Sequence, residues 1–262
     1  MQRTVKIDCL PESVERYKKG YAVVAVDVIR ATTTTITAIL AGRRCFPVPN
    51  VEVAASLSRK LADPLMVGEL GGDVPGGFEI TNSPALLAAR KDVERPMILL
   101  SSSGSKIMYE AQFADAGYVA CLRNYSAQVE HLARHHSRVV IIGAGSRGEF
   151  REEDQLCCAW IGRGLLRHGF VPEDQMTADV IERWRGASVE DMLVSNSVKY
   201  LRRTGQLEDL EYILQHIDDV PSAFPIRGEE VVQEPLPVGQ RLQSSSSHGV
   251  ERVLRPAFGT AD

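Results

Sequence analysis

The sequence predicts an α/β fold, three layers of α/β/α around a mostly parallel sheet, with a helical C-terminal region. Three observations predict it. Apolar runs at 22–26, 64–68, 96–100 and 138–142 are bounded by turn signals and followed by helical patterns, as buried parallel strands are. Each run ends on a polar or glycine-bearing tip: Asp27, Glu69, Ser101 and Gly143. A chain of 262 residues with 44% hydrophobic content can bury a full core, as one large α/β domain or two small lobes. Ligands of open α/β sheets bind beyond the carboxyl ends of the strands, so the four tips are expected to meet at one edge.

Taken in order, residues 5–9 alternate like a first strand, and 12–19 read as a short helix. The strand ending at Asp27 follows, then a helix over 36–40 stopped by Gly42. Residues 45–48 read as a strand. Residues 51–61 read as a helix, with Val53, Ala54, Leu57 and Leu61 on one face. After the strand ending at Glu69, the stretch 71–77 carries too many glycines for regular structure. Ser83 is placed to cap a helix with Pro84 in its first turn. A strand at 96–102 leads into a helix at 106–113. A strand at 118–122, a helix at 126–134 and a strand at 139–143 follow. Residues 153–166 form a helix ended by His168 and Gly169. From 172 to 217 the chain reads as wholly helical, and Val231 and Val232 as a late edge strand. Residues 1–234 are expected to form a single α/β unit. The tail over 235–262, with four serines at 244–247, has too few apolar residues to pack and is expected to be mobile.

Composition excludes several classes. A formal charge of −4 without a basic stripe argues against nucleic acid as the main partner. No apolar stretch reaches the roughly 18 residues of a membrane span, and residues 1–6 lack the apolar core of a signal peptide. Five cysteines, two of them adjacent at Cys157 and Cys158, suit neither a structural disulfide set nor a zinc knuckle. A cytoplasmic protein is expected.

The chemistry-bearing residues sit at the tips. Asp27 is followed by Arg30 and by threonines at 32–35, whose hydroxyls and free backbone N–H groups suit an anion site at a helix N-terminus. Arg30 adds a fork that matches phosphate, sulfonate or carboxylate. The competing reading is a long β-branched strand with Asp27 as a turn acid. Glu69 and the Glu152-Glu153-Asp154 run supply further carboxylates, and Mg²⁺ needs only one or two. The same acids also simply favour a helix N-terminus. The 101–105 loop, Ser-Ser-Ser-Gly-Ser, is rich in hydroxyls but lacks P-loop spacing.

Other templates fit poorly. Gly143 to Gly148 spells a dinucleotide fingerprint, but no clear second strand ending in a ribose-binding acid follows. His131 and His135 lie four apart without an acid to complete a zinc motif. No G-x-S-x-G elbow exists, and Asp27 has no second aspartate two residues on.

Together these motifs resemble the 2-phosphosulfolactate phosphatase family of coenzyme M biosynthesis, in order from Asp27 to about Ala159. The matching blocks are Asp27 to Thr34, Gly68 to Gly72, Gly77 to Pro84, the 101–105 loop, Asn124 with Ala127, and Ala144 to Asp154. The resemblance implies a Mg²⁺-dependent phosphatase with its site between two α/β lobes. It places metal or catalytic roles on Asp27, Glu69, Asn82 and Asp154, the three carboxylates being the Mg²⁺ ligands. Anionic oxygens of the substrate would meet Arg30, Thr32, Thr33, Asn82, Ser83, Ser102, Ser103, Gly104 and Ser105. Departures are Leu70 for an arginine, Ser103 for an asparagine, and Glu79 and Thr81 for an aspartate and a glycine. The expected reaction is hydrolysis of 2-phosphosulfolactate to sulfolactate and phosphate. Its alternatives are a related 2-phospho-hydroxy acid and a non-catalytic anion-binding relative. The implied partner is a small anionic phosphorylated metabolite, and a homodimer is compatible with the sequence.

Overall fold

The computed structural model describes residues 2–145 and 149–237. β1 (Thr4–Cys9) leads through a 3-10 helix (Pro11–Tyr17) into β2 (Ala22–Val26). Then come α1 (Ala31–Leu40), β3 (Cys45–Val48), α2 (Val51–Ser58) and β4 (Leu65–Gly68). They are followed by α3 (Pro84–Ala89), β5 (Met97–Leu100), α4 (Gly104–Ala111), β6 (Ala116–Ala120) and α5 (Tyr125–His135). β7 (Arg138–Gly143), α6 (Glu152–Arg167) and β8 (Val171–Pro172) complete the alternation. A helical stretch holds α7 (Gln175–Arg183), a 3-10 helix (Val189–Val194), α8 (Asn196–Arg203) and α9 (Leu207–Gln215). Short strands β9 (Ser222–Ala223), β10 (Ile226–Arg227), β11 (Glu230–Val231) and β12 (Glu234–Pro235) close the described chain.

The strands are mostly parallel and flanked by helices, as expected, but they form two five-stranded sheets. One runs β6-β2-β7-β1-β8, all parallel; the other runs β10-β11-β3-β5-β4, parallel over its last three strands. Val23, Ala25, Val140 and Ile142 of the first sheet share a core with Leu65, Met97 and Leu99 of the second. Ile36 and Ala38 of α1 and Ile107 and Met108 of α4 belong to that same core, so these two helices lie between the sheets. The outer face of the first sheet packs on α5, α6 and the C-terminal helices, through Val24, Ile141, Leu156, Ile161 and Leu210. The outer face of the second packs on α2, through Ile98, Leu100, Ala54 and Leu57. Burial on both faces explains why these strands read as unbroken apolar runs. Each fully buried Val, Leu or Ile is worth about 1.5–3 kcal/mol.

Several expectations change in detail. The helix expected at 36–40 begins at Ala31, so the threonines lie inside it. The helix expected at 12–19 is a 3-10 helix that starts on Pro11. The stretch from 172 is not wholly helical: Val171–Pro172 pairs with β1. Val231 is no edge residue, because β11 pairs with both β10 and β3. Of the expected mobile tail, Pro235 pairs with Ser222 of β9, and residues 238–262 lie outside the described residues. Among the described residues no helix is long and apolar enough to cross a membrane.

Candidate active site

Register brings the tips together in pairs. Val26 lies beside Gly143, so Asp27 and Ala144 emerge from adjacent strands. Gly68 lies beside Leu100, so Glu69 and Ser101 do the same in the second sheet. The start of α4, which follows Ser101, packs on Asp27 and on Ala31 at the start of α1, so the two pairs meet through the shared helix layer.

Asp27 opens the β2–α1 turn and is buried. Its carbonyl accepts from the Thr32 N–H at 3.0 Å and the Thr32 hydroxyl at 2.7 Å. The Thr33 hydroxyl donates to the Val28 carbonyl at 2.8 Å. Thr32 and Thr33 therefore brace the turn with hydroxyls spent on backbone oxygens, and their part in an anion site is to shape it. Gly104 packs directly on the Asp27 carboxyl: a Cβ there would collide with Asp27 Oδ2 and stand 2.7 Å from Ala31 Cβ.

Glu69 is tied to the hydroxyl loop. Its carboxylate accepts from the Ser102 N–H at 2.9 Å, the Ser102 hydroxyl at 3.1 Å and the Gly72 N–H at 2.8 Å. Ser101 and Ser105 brace the loop reciprocally, each hydroxyl accepting the other's N–H, at 2.9 and 2.8 Å. Ser105 also donates to the Val48 carbonyl at 2.7 Å. Ser103 occupies the N-cap of α4 without a side-chain cap bond. The Ser105 N–H is met by Ser101 and the Lys106 N–H by the Ser103 carbonyl, so among the described residues the Gly104 N–H is the first-turn donor left without a partner, beside Asp27.

Asp154, in the first turn of α6, accepts the Val28 N–H at 2.8 Å and so reaches the turn that holds Asp27. Burial pushes the Asp27 carboxyl up to about 7, with the charges of Glu69 and Glu153 adding to the rise. Burial and the charges of Asp27 and Glu153 hold Asp154 well above the usual carboxylate range. Glu153 is raised by burial too, and among the described residues its Oε2 has no hydrogen-bond partner. Three buried acids thus stand close enough to raise one another, with Arg30 and Arg151 the described cations that act against the rise. Sequence reasoning read Glu153 only as a companion of Asp154.

Arg30 is buried, and its Nη1 donates to Asp209 Oδ2 at 2.6 Å and to Gln206 Oε1. Asp209 Oδ1 accepts the Ser83 hydroxyl and the Ala85 N–H, the latter at 3.2 Å. Ser83 caps α3 by accepting the Leu86 N–H at 3.1 Å, as its position before Pro84 predicted. Asn82 is buried beside it, and its Oδ1 has no partner among the described residues. Sequence reasoning missed Asp209 and Gln206; an acid in the first turn of α9 carries no local sign of a partner 179 residues away.

Among the described residues, no three or more His, Cys, Asp or Glu side chains gather as a metal-binding group. The expected trio of Asp27, Glu69 and Asp154 is therefore not assembled as one ligand set; Glu69 already accepts from the serine loop and the Gly72 turn. Asp27 and Asp154, whose carboxyl reaches the Asp27 turn through the Val28 N–H, do fit a hard cation as a pair. Mg²⁺ commonly takes one or two protein carboxylates and keeps its waters, and it would neutralise the buried charge. The nucleotide reading loses ground on topology. Glu173, which follows β8, bonds to Arg138 at the start of β7, away from the tips. Residues 146–148 of that motif lie outside the described residues.

Residues 8–223 match the model of a family described as 2-phosphosulpholactate phosphatase, a span that contains every site residue above. A "Probable 2-phosphosulfolactate phosphatase" of Carboxydothermus hydrogenoformans is 30% identical over 235 residues, 87% of this chain and 98% of the relative. The "2-phosphosulfolactate phosphatase" of Methanothermobacter thermautotrophicus is 32% identical over 205 residues, 78% of this chain and 86% of the relative. A "Probable 2-phosphosulfolactate phosphatase" of Pseudothermotoga lettingae is 37% identical over 152 residues, 58% of this chain and 64% of the relative, just under two thirds of its length. This chain belongs to the 2-phosphosulfolactate phosphatase family, a family named for phosphoric monoester hydrolysis.

Proposed function

We propose that the chain hydrolyses 2-phosphosulfolactate to sulfolactate and inorganic phosphate, that it does so with Mg²⁺, and that it works in the cytoplasm. The observation that carries the reading is the buried Asp27–Asp154 pair beside the Gly104 N–H at the start of α4. A protein that only bound anions would gain nothing from carboxylates held this close. Asp27 and Asp154 would hold the cation. When bound, it polarises the phosphoryl group and lowers the pKa of a water.

The remaining work falls to the chain's own residues. The Gly104 N–H at the start of α4, beside the Asp27 carboxyl, donates to a phosphoryl oxygen that gains charge as the ester bond lengthens. Arg30 offers a second set of donors from the facing turn. The oxygen of one water joins phosphorus as the ester P–O bond breaks, and the departing lactate oxygen takes up a proton. Glu153, the neighbouring buried acid that is not one of the two cation ligands and whose proton affinity burial raises, is suited to accept the water's proton.

A second reading keeps the reaction and changes the ester. Leu70, 40% exposed in the turn that Glu69 braces, offers no charge to a sulfonate, which favours a related 2-phospho-hydroxy acid. Phosphate release from 2-phosphosulfolactate, 2-phospholactate and a general monoester, each with Mg²⁺, separates the two. The first reading requires the sulfonate ester to have the highest kcat/KM. Release only from the others moves the substrate, and release from none removes both readings.

A further inference from the structure

We propose that Asp209 is a positioning residue of this site: it fixes the plane of the Arg30 guanidinium so that the fork faces the substrate's anionic oxygens. The inference rests on the phosphatase reading above. Asp209 lies on α9, outside the strand-tip loops that build the rest of the site, yet it is buried against them. Its two carboxylate oxygens divide their work. Oδ2 accepts Arg30 Nη1 at 2.6 Å; Oδ1 accepts the Ser83 hydroxyl and the Ala85 N–H at the start of α3. Asp209 is thereby anchored to α3 and can hold Arg30 in one place.

Among the described residues, every hydrogen bond of the Arg30 guanidinium falls on Nη1, to Asp209 and Gln206. Nε and Nη2 form the opposite edge, the one that matches two oxygens of a phosphate in a single plane. A guanidinium clamped at one nitrogen presents that edge without losing rotamer freedom when the substrate arrives. Stability alone does not account for the pair. Its charges are 5% and 4% exposed, and desolvation of such a pair offsets most of its attraction. The Arg30 charge also acts on Asp27, holding its proton affinity down, so the clamp places Arg30 near the reacting centre.

The test compares the full chain with Asp209→Ala, Asp209→Asn, Arg30→Ala and the double variant of Arg30→Ala with Asp209→Ala. Two quantities are read: kcat/KM for 2-phosphosulfolactate with Mg²⁺, and inorganic phosphate affinity by calorimetry. Asp209→Ala is expected to lower both by roughly 10- to 100-fold, the scale of a misplaced binding group. Asp209→Asn keeps the shape but has a single acceptor oxygen, so either Arg30 or the Ser83–Ala85 anchor loses its acceptor, and both quantities should fall by roughly 3- to 10-fold. In the Arg30→Ala background, loss of Asp209 should cost no more than about 2-fold further, since its effect passes through Arg30. Equal losses with and without Arg30 would overturn the proposal. So would folded Asp209 variants that lose Tm alone. If the intact chain releases no phosphate from the ester, the phosphatase reading fails and the phosphate affinities still decide Asp209. If the intact chain binds no phosphate, the positioning role falls as well.

Discussion

Replacing Asp27 by asparagine should stabilise the protein while abolishing its turnover. Its carboxyl is buried among the charges of Glu69 and Glu153, and its proton affinity rises from an ordinary 3.8 to about 7. A carboxyl raised in the folded state leaves stability intact below about pH 4 and erodes it as pH climbs through 7. That difference corresponds to a ceiling of roughly 4 kcal/mol above pH 7. Asp154 and Glu153 share the same repulsion, so about 1–3 kcal/mol is the expected gain for one substitution. For a chain of this size such a gain raises Tm by roughly 3–10 °C. The assay is thermal unfolding of the metal-free protein in chelator from pH 4 to 8, beside phosphate release with Mg²⁺. Asp27→Asn and the unaltered chain should nearly coincide at pH 4, separate between about pH 4 and 7 and keep a constant gap above that, with turnover absent in the variant throughout. An asparagine variant that is less stable at pH 8, or that retains near-normal turnover, would refute the reasoning.

Other outcomes follow from the same geometry. Gly104→Ala drives a methyl into Asp27 Oδ2 and Ala31 Cβ, and should cut kcat/KM by roughly 100-fold or more. Gly76→Ala, where nothing lies within 4 Å, should be neutral in the same assay. His136, which bonds to the Tyr118 hydroxyl at 2.8 Å, is held down to about 4 by burial, then by His131 and His135. Its depressed value means a contribution to stability that is present above about pH 6.5 and lost as pH falls toward 4. NMR titration of its ring should show a midpoint near 4, and a midpoint at or above 6.5 would contradict its buried placement.

The strand tips were legible because period and punctuation are local properties. Asp27, Glu69, Ser101 and Gly143 each end an apolar run, and each run is a strand in the fold. The helix start at Ala31 was not legible. Threonine's poor propensity argued for a loop, and burial of Thr32 to Thr35 in the shared core overrode it. The division into two sheets was hidden as well. β2 pairs with β6 and β7, far along the chain, while β3, β4 and β5 form a separate sheet, and no local pattern records such pairing. For the same reason Asp27 and Asp154 were legible as acids at tips, whereas the link from Arg30 to Asp209 depends on where α9 docks. Glu69 shows the opposite case. Its position was readable, but its carboxylate is spent on Ser102 and Gly72, which only side-chain geometry reveals.

The central claim, that buried carboxylates at two strand-and-helix junctions make a Mg²⁺-dependent phosphatase, is tested most directly by one titration. Chelator-treated protein is given 2-phosphosulfolactate, and phosphate release is followed as Mg²⁺ is added back. The account predicts release near zero without the ion, rising to saturation, with no such rise in Asp27→Asn. Release that chelator leaves undiminished, or that Mg²⁺ restores equally in Asp27→Asn, would contradict it.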